Sequence, residues 1–329
     1  MLTDKRKRTS SWFFQEPFAN TIPSSRILDK TVSFLSRIFI TILRIFLRII
    51  FGKKKRQNLQ LYHKLGRNIN VSLSFYFFIF IHKISKFLRL GNHSFVKLDV
   101  PKYNYKVFCP LTLDDYFNMT GREEEILKHF NPNMGDTVID IGAHLGRYTL
   151  ISANRVGKSG KVISIEANPV VLKKLKKNIE LNELTNTTSL NFAVYSKKTK
   201  IKLFFPNEGV KNTIYNTIVS DRFTSEKFIE VNADTLDNIL YYTGIKVDNI
   251  NWIKIDVEGA ELEVLKGADK ILSSNSKDLT ILIEVHHLEN NKNLYEEIMQ
   301  VLKQYNFKIE FEKIHEGGER HIIVRKQQL

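Results

Sequence analysis

The 329-residue chain has a single cysteine, Cys109, so no disulfide can form within it and a cysteine-rich metal site is untenable. That usage fits a reducing compartment. Acid is almost missing from the front: residues 1–95 hold 3 Asp+Glu against 18 Lys+Arg, whereas residues 96–329 balance 32 against 32. The net charge of +15 therefore belongs entirely to the front region. The first 30 residues also lack an uninterrupted apolar stretch with a small-residue cleavage site, so no cleavable signal peptide is expected.

What the front does contain is basic and greasy. Lys5 to Arg8 is a basic run within a polar segment expected to be disordered to about residue 28. Thr31 to Phe51 then carries 14 apolar residues and three arginines. At about 100° per residue, Lys30, Ser33, Arg37, Thr41, Arg44 and Arg48 form one stripe opposite a wide apolar face. Such a stripe suits a helix lying in the headgroup plane. Lys53 to Arg56 follows at once, and a second apolar stretch, Val71 to Ile81, is too short to span comfortably. Two spans would also force the basic loop between them across the membrane, against the positive-inside tendency. The front, residues 1–95, is thus read as a basic region with amphipathic membrane-interfacial helices. Residues 26–90 would contact an anionic membrane surface on its cytoplasmic side, aided by about 1 kcal/mol per basic residue. A single span by residues 31–51 is the alternative for this cytoplasmic, peripheral placement. An accessory helical subdomain or an RNA-binding arm ranks below both, since Phe75 to Phe80 is too crowded and aliphatic for a base-stacking platform.

From residue 96 the pattern changes to short strands alternating with helices, and the organising stretch is VIDIGAHLG, Val138 to Gly146. An apolar run ending in a carboxylate and followed by two glycines reads as a buried strand, a tight turn and a helix start. Gly142 and Gly146 offer backbone without a Cβ where a ligand approaches, and the helix beginning near Leu145 points free N–H groups at it. A dinucleotide-binding turn sets its glycines against a pyrophosphate, which a preceding carboxylate would repel. Asp140 therefore favours a ligand with cationic groups, and S-adenosylmethionine carries a sulfonium and an ammonium. An ordinary strand-to-helix turn with a capping Asp is the competing reading.

The next strand, KVISIEANP, ends at Glu166, the spacing of one βαβ unit of about 30 residues, where such folds put an acid on ribose hydroxyls. Asn168 and Pro169 start a helix as cap and first residue. TTSLNFAVYS is a third strand, with Asn191 and Ala193 at its end on the adenine side. The insertion Asn207 to Thr224 is placed over the strand ends, where specificity usually resides. DDYFNMTGREEEILKHF is read as one acidic-start helix, with Glu123 to Glu125 either a solvated face or a border of the cofactor mouth. In INWIKIDVEGAELEVLKGA a buried strand ends at Asp256, Glu258 follows, and Gly259 turns into a helix. Carboxylates at a strand's carboxyl end are where open α/β sheets bind ligands. Glu261 and Glu263 allow an ordinary reading as first-turn helix charges, which is adopted for Glu263. The fifth strand, LTILIEVHH, ends in Glu284, His286 and His287, either histidine being a possible base or merely hydrogen-bonded.

Taken together, VIDIGAHLGRYTL, ISIEANP, LNFAV, the Asp237 segment, IKIDVEGAELEVLKGA and ILIEVH resemble the FkbM family of S-adenosylmethionine-dependent methyltransferases over roughly residues 97–325. The resemblance implies an α/β, Rossmann-like methyltransferase domain over residues 96–329 with a mostly parallel seven-stranded sheet. It implies that Asp140, Gly142 and Gly146 hold the methionine end, Glu166 the ribose, and Asn191 to Ala193 the adenine side. His144, where the family pattern usually has Asn, and Asn168 are counted with these cofactor residues. Asp256 and Glu258 would face the sulfonium and acceptor, and with His286 they are the catalytic candidates, Asp256 first, for taking a hydroxyl proton. This many carboxylates leave room for a divalent metal, but no ligand spacing specifies one. The family's acceptors point to O-methylation of a sugar, glycan precursor or lipid-linked hydroxyl. The missing D/N-P-P-Y/F sequence argues against a methyltransferase of nucleic-acid bases, and nucleic acid is not expected as a partner. The alternatives are a small-molecule methyltransferase with an N-terminal tether and a non-catalytic cofactor-binding module of a membrane complex.

Overall fold

The computed structural model describes residues 95–329 apart from 111–112, 121–122, 206–226, 275, 277–278, 289–290, 316 and 328–329. The basic front and its two apolar stretches lie outside the described residues, as does the insertion Asn207 to Thr224. Among the described residues no helix is long and apolar enough to cross a membrane.

The strands β1 (Phe95–Val100) and β2 (Tyr105–Pro110) form an antiparallel hairpin. Two short helices follow, α1 (Leu113–Thr120) and α2 (Glu124–His129). They replace the single helix expected here, because Glu123 adopts a left-handed conformation, φ 60°, that no right-handed helix continues through. Then come β3 (Thr137–Ile141), α3 (Arg147–Val156), β4 (Lys161–Ile165), α4 (Pro169–Leu181) and β5 (Thr187–Leu190). Asn168 caps α4 as expected, accepting from the amides of Val170 and Val171 at 2.9 and 3.4 Å, with Pro169 in the first turn.

The expected third strand divides. Thr187–Leu190 joins the main sheet, whereas β6 (Ala193–Val194) pairs in a small sheet with β7 (Thr199–Phe204) and β8 (Phe228–Asp234). Asn191 marks the break: its Nδ2 donates to the carbonyls of Glu166 and Ala167, both at 2.8 Å, so a side chain serves backbone acceptors that a longer strand would have served. The chain continues through α5 (Leu236–Tyr241), β9 (Trp252–Ile255), α6 (Glu261–Lys266), α7 (Asp269–Ser273), β10 (Thr280–Val285), α8 (Leu294–Gln304), β11 (Phe307–Ile314) and β12 (Arg320–Lys326).

The main sheet runs β11-β12-β10-β9-β3-β4-β5, with β12 antiparallel to both its neighbours and β10, β9, β3, β4 and β5 mutually parallel. Isoleucines stack across it in register, Ile139 beside Ile163 and Ile253, and Ile253 beside Ile281, all within the buried core. Such β-branched runs suit parallel strands covered on both faces. After β3 the chain builds outward to β4 and β5, then returns to place β9 on the other side of β3. The strand order therefore reverses between β3 and β9, and a crevice opens at their carboxyl ends.

Gly142 closes that crevice's floor. Its φ is 73°, and a Cβ there would run into the carbonyl of Asp256, so the turn after β3 can lie against the end of β9 only without a side chain. Gly146, φ 96°, similarly leaves room for Leu175 of α4. Both glycines thus serve contacts within the protein. Gly142→Ala combines left-handed strain with overpacking and should cost about 3 kcal/mol or more, measured by chemical denaturation. A loss below about 1 kcal/mol would show that the turn is not held by this contact.

Candidate functional site

The parallel register sets Asp140 of β3 directly beside Lys254 of β9. Asp140 is fully buried, and its Oδ2 accepts from Thr149 Oγ1 of α3 at 2.6 Å. Lys254, also buried, lies 3.8 Å from Asp140 Oδ1 and 2.9 Å from Asp256 Oδ2, and donates to the Gly142 carbonyl at 3.3 Å. Its ammonium also stands 5.3 Å from the centre of the Tyr148 ring. Burial works against the lysine's charge, but Asp256 and Asp140 overcome it and raise its pKa above the ordinary value. Burial likewise works to raise Asp256, yet Lys254 and His286 hold that carboxyl down near 2. For Asp140 burial dominates and the pKa is raised despite Lys254.

Glu166 forms a second fixed point. One carboxylate oxygen accepts from the amide of His144 and the other from that of Asn168, each at 2.9 Å. Burial raises its pKa to about 7 against the pull of these two amides. His144, φ 53°, keeps a neutral ring because burial lowers its pKa to about 4, with Asp256 opposing.

A third group gathers where β9 and β10 end. The ring of His286 is buried, its Nδ1 2.8 Å from Oε1 of Glu261, which also accepts from the amide of Gly259 at 2.9 Å. Its Nε2 faces Glu258 Oε2 at 3.5 Å, and Asp256 Oδ1 and Glu284 Oε1 at 3.9 Å each. Burial alone would lower the histidine, but Glu261, Glu258 and Glu284 raise it to about 10.

One cavity joins these groups. It is lined by the turn Ile141 to Leu145, by Glu166 and Ala167, by Phe192 to Val194, by Lys254, and by Asp256 to Glu258, with Glu123 and Tyr148 at its side. Of the residues expected from sequence, Gly142, His144, Glu166, Ala193, Asp256 and Glu258 meet in this cavity. The others stand behind it. Asp140 reaches Lys254 rather than the open space, so a direct pairing with a ligand's ammonium is closed to it. Gly146 admits Leu175, Asn168 caps α4, and Asn191 holds the β4 end. His286 backs Asp256 and Glu258.

Glu123 belongs to the cavity border and not to a solvated face: it accepts from the Tyr148 hydroxyl at 2.8 Å and pairs with Arg147 at 3.5 Å. Glu263 keeps to the surface role expected of it, pairing with Lys266 at 2.9 Å. Sequence reasoning passed over Lys254 and Tyr148, and it left Glu261 open to a surface reading although that carboxylate is fully buried. A signal existed for the lysine, since WIKI places a charge in the middle of an otherwise apolar strand.

Residues 140–309, just over half of the chain, match the family model described as the methyltransferase FkbM domain. Methyltransferase sdnD of Sordaria araneosa is 31% identical over 157 residues, which cover 40% of this chain and 60% of that protein. Methyltransferase 1 of Beauveria bassiana (strain ARSEF 2860) is 22% identical over 148 residues, covering 40% of this chain and 58% of that relative. A solved structure of a methyltransferase FkbM from Methylobacillus flagellatus KT superposes with a TM-score of 0.40 at 16% identity, over 57% of this chain and 43% of that one.

Lys254→Met leaves Asp140 and Asp256 without their shared cation and should destabilise the fold by about 3–5 kcal/mol. Adding Asp140→Asn should recover most of the loss, because Asp140 is fully buried whereas the Asp256 side chain keeps 27% of its exposure. Denaturant titrations of the single and double variants check this, and equal stability of the two would refute it.

Proposed function

The chain belongs to the FkbM methyltransferase family, whose members use S-adenosylmethionine, and from that premise we propose that it is an S-adenosylmethionine-dependent O-methyltransferase. The observation that carries the reading is one cavity at the sheet's switch point that joins Glu166, after β4, to Asp256 and Glu258, after β9. Its residues fit such a cofactor. Glu166 is a buried acceptor held rigid by two amides, suited to a pair of ribose hydroxyls. Ile165, Phe192 and Val194 supply apolar wall beside it for an adenine. Asp256 and Glu258 supply negative charge for a cationic group, and Lys254 fixes the orientation of Asp256.

When bound, S-adenosylmethionine supplies the methyl group on a sulfonium that is its own leaving group. The chain's task is then to hold an acceptor oxygen in line with that methyl and to exclude water. Asp256 works by charge and hydrogen bonding rather than as a strong base, because its proton affinity is held down. His286 stands behind these carboxylates, its Nε2 3.5 Å from Glu258 and 3.9 Å from Asp256. A hydroxyl of a sugar, glycan precursor or lipid-linked acceptor is the substrate class this reading favours. The basic, apolar stretch over residues 26–90 would bring the enzyme to an anionic membrane surface where a lipid-linked acceptor is presented.

Calorimetric titration of S-adenosylmethionine into the full chain should show micromolar binding, and Glu166→Gln should weaken it by about 1.5–3 kcal/mol. Ribose hydroxyls donate to the carboxylate form, so wild-type affinity should climb as pH rises through the Glu166 value of about 7 and level off above it, a dependence absent from the variant. A folded chain that binds no cofactor would overturn the reading. Sedimentation with phosphatidylserine-containing vesicles should carry the full chain down at low salt and release it as salt rises. Equal sedimentation with neutral vesicles would remove the electrostatic attachment.

A further inference from the structure

Asp256, Glu258 and His286 form more than a set of acidic neighbours. One ligand atom from each lies within 4.8 Å of the other two, and the imidazole is almost wholly buried. The separations from His286 Nε2 are 3.5 Å to Glu258 and 3.9 Å to Asp256, longer than the roughly 2.7–3.2 Å of a good N–H···O bond. The 3.5 Å separation falls within what a shared ion imposes, and the 3.9 Å one lies just beyond it. Two ligand atoms each about 2.1 Å from one cation stand about 3.0–3.6 Å apart at angles near 90–120°.

Two further observations point the same way. The far nitrogen of His286 is engaged by Glu261 at 2.8 Å, the carboxylate–imidazole pairing that orients a metal-ligating histidine and directs its other nitrogen at the ion. Glu261 is itself fully buried, and its Oε2 has no hydrogen-bond partner, leaving an unsatisfied acceptor on the carboxylate that holds the imidazole. Lys254 occupies only Asp256 Oδ2, and Oδ1 is the oxygen nearer His286. The neighbouring triad of Glu123, Glu284 and His321 is less suited, because Glu123 Oε2 already serves Tyr148 and Arg147.

We propose that Asp256, Glu258 and His286 bind one divalent cation at the acceptor end of the cavity. Two carboxylates and one imidazole suit a hard or borderline ion such as Mg²⁺ or Mn²⁺, with water completing the shell. The ion's purpose rests on the methyltransferase reading: it holds an acceptor hydroxyl beside the methyl group and lowers that hydroxyl's pKa, the released proton passing to solvent.

The test uses Mn²⁺ alone as the probe, titrated into chelator-treated full chain and followed by electron paramagnetic resonance. The expected result is one bound Mn²⁺ per chain at micromolar concentration, with a nitrogen coupling from the imidazole in the pulsed spectrum. Glu258→Gln and His286→Gln should each weaken binding at least tenfold, with melting curves confirming that the variants fold. Mn²⁺ that stays free at millimolar concentration, or bound Mn²⁺ without nitrogen coupling, would overturn the assignment. So would weakening by Glu123→Gln but not by Glu258→Gln, which puts the ion on the other triad. S-adenosylmethionine titrated into the same samples separates the two proposals. Cofactor binding without Mn²⁺ binding refutes the cation alone, and the reverse refutes the methyltransferase reading.

Discussion

A single buried ammonium ties the site together. Lys254 joins four parts of the site: Asp140 at the end of β3, the Gly142 carbonyl in the turn, Asp256 after β9, and the face of Tyr148 on α3. Replacing such a network with apolar groups of equal volume is often neutral or better for stability. Its value lies in placing charge. The lysine favours the ionised form of Asp256 and points it along one direction at the edge of a cavity where burial works against its charge.

Around this centre, polar groups are held by partners that cannot easily move. Glu166 is clamped by two backbone amides, and His286 by a carboxylate that is itself bonded to the Gly259 amide. Both arrangements spend backbone donors of tight turns on side-chain orientation, so the acceptors and charges are in position before any ligand arrives. Pre-set dipoles of this kind act without reorganising, which is the usual source of selectivity toward a developing charge. Left-handed residues gather at the same places, Gly142 and His144 after β3 and Glu258 and Gly259 after β9. The sharp turns that they allow bring loops from two distant parts of the chain to one crevice.

Much of this was legible in the chain itself. The runs VIDI, KVISI, WIKI and TILIEV are apolar enough to be buried strands, and each either carries a carboxylate next to its last residue, as VIDI does, or is followed at once by a carboxylate or imidazole. Local chemistry places those groups at strand ends, and the helices alternating with the strands imply a parallel sheet, which brings the carboxyl ends to one edge. The Asn168 cap and the Pro169 helix start are local as well and needed no tertiary information. The split of the helix at Glu123 and of the third strand at Asn191 escaped, since one depends on a backbone twist and the other on carbonyls of a neighbouring strand.

The sequence by itself determined the alternation of core strands and helices, the acids at the strand ends, and the family. Only the tertiary structure decided which of those acids face open space. Asp140 and Asp256 both end apolar strands in the chain, yet one is sealed behind Lys254 and the other borders the cavity. The difference arises from the register of β3 against β9, which sets Asp140 level with the lysine and Asp256 two residues beyond it. Register between strands more than a hundred residues apart is fixed by packing across the sheet, and no local pattern of residues encodes it.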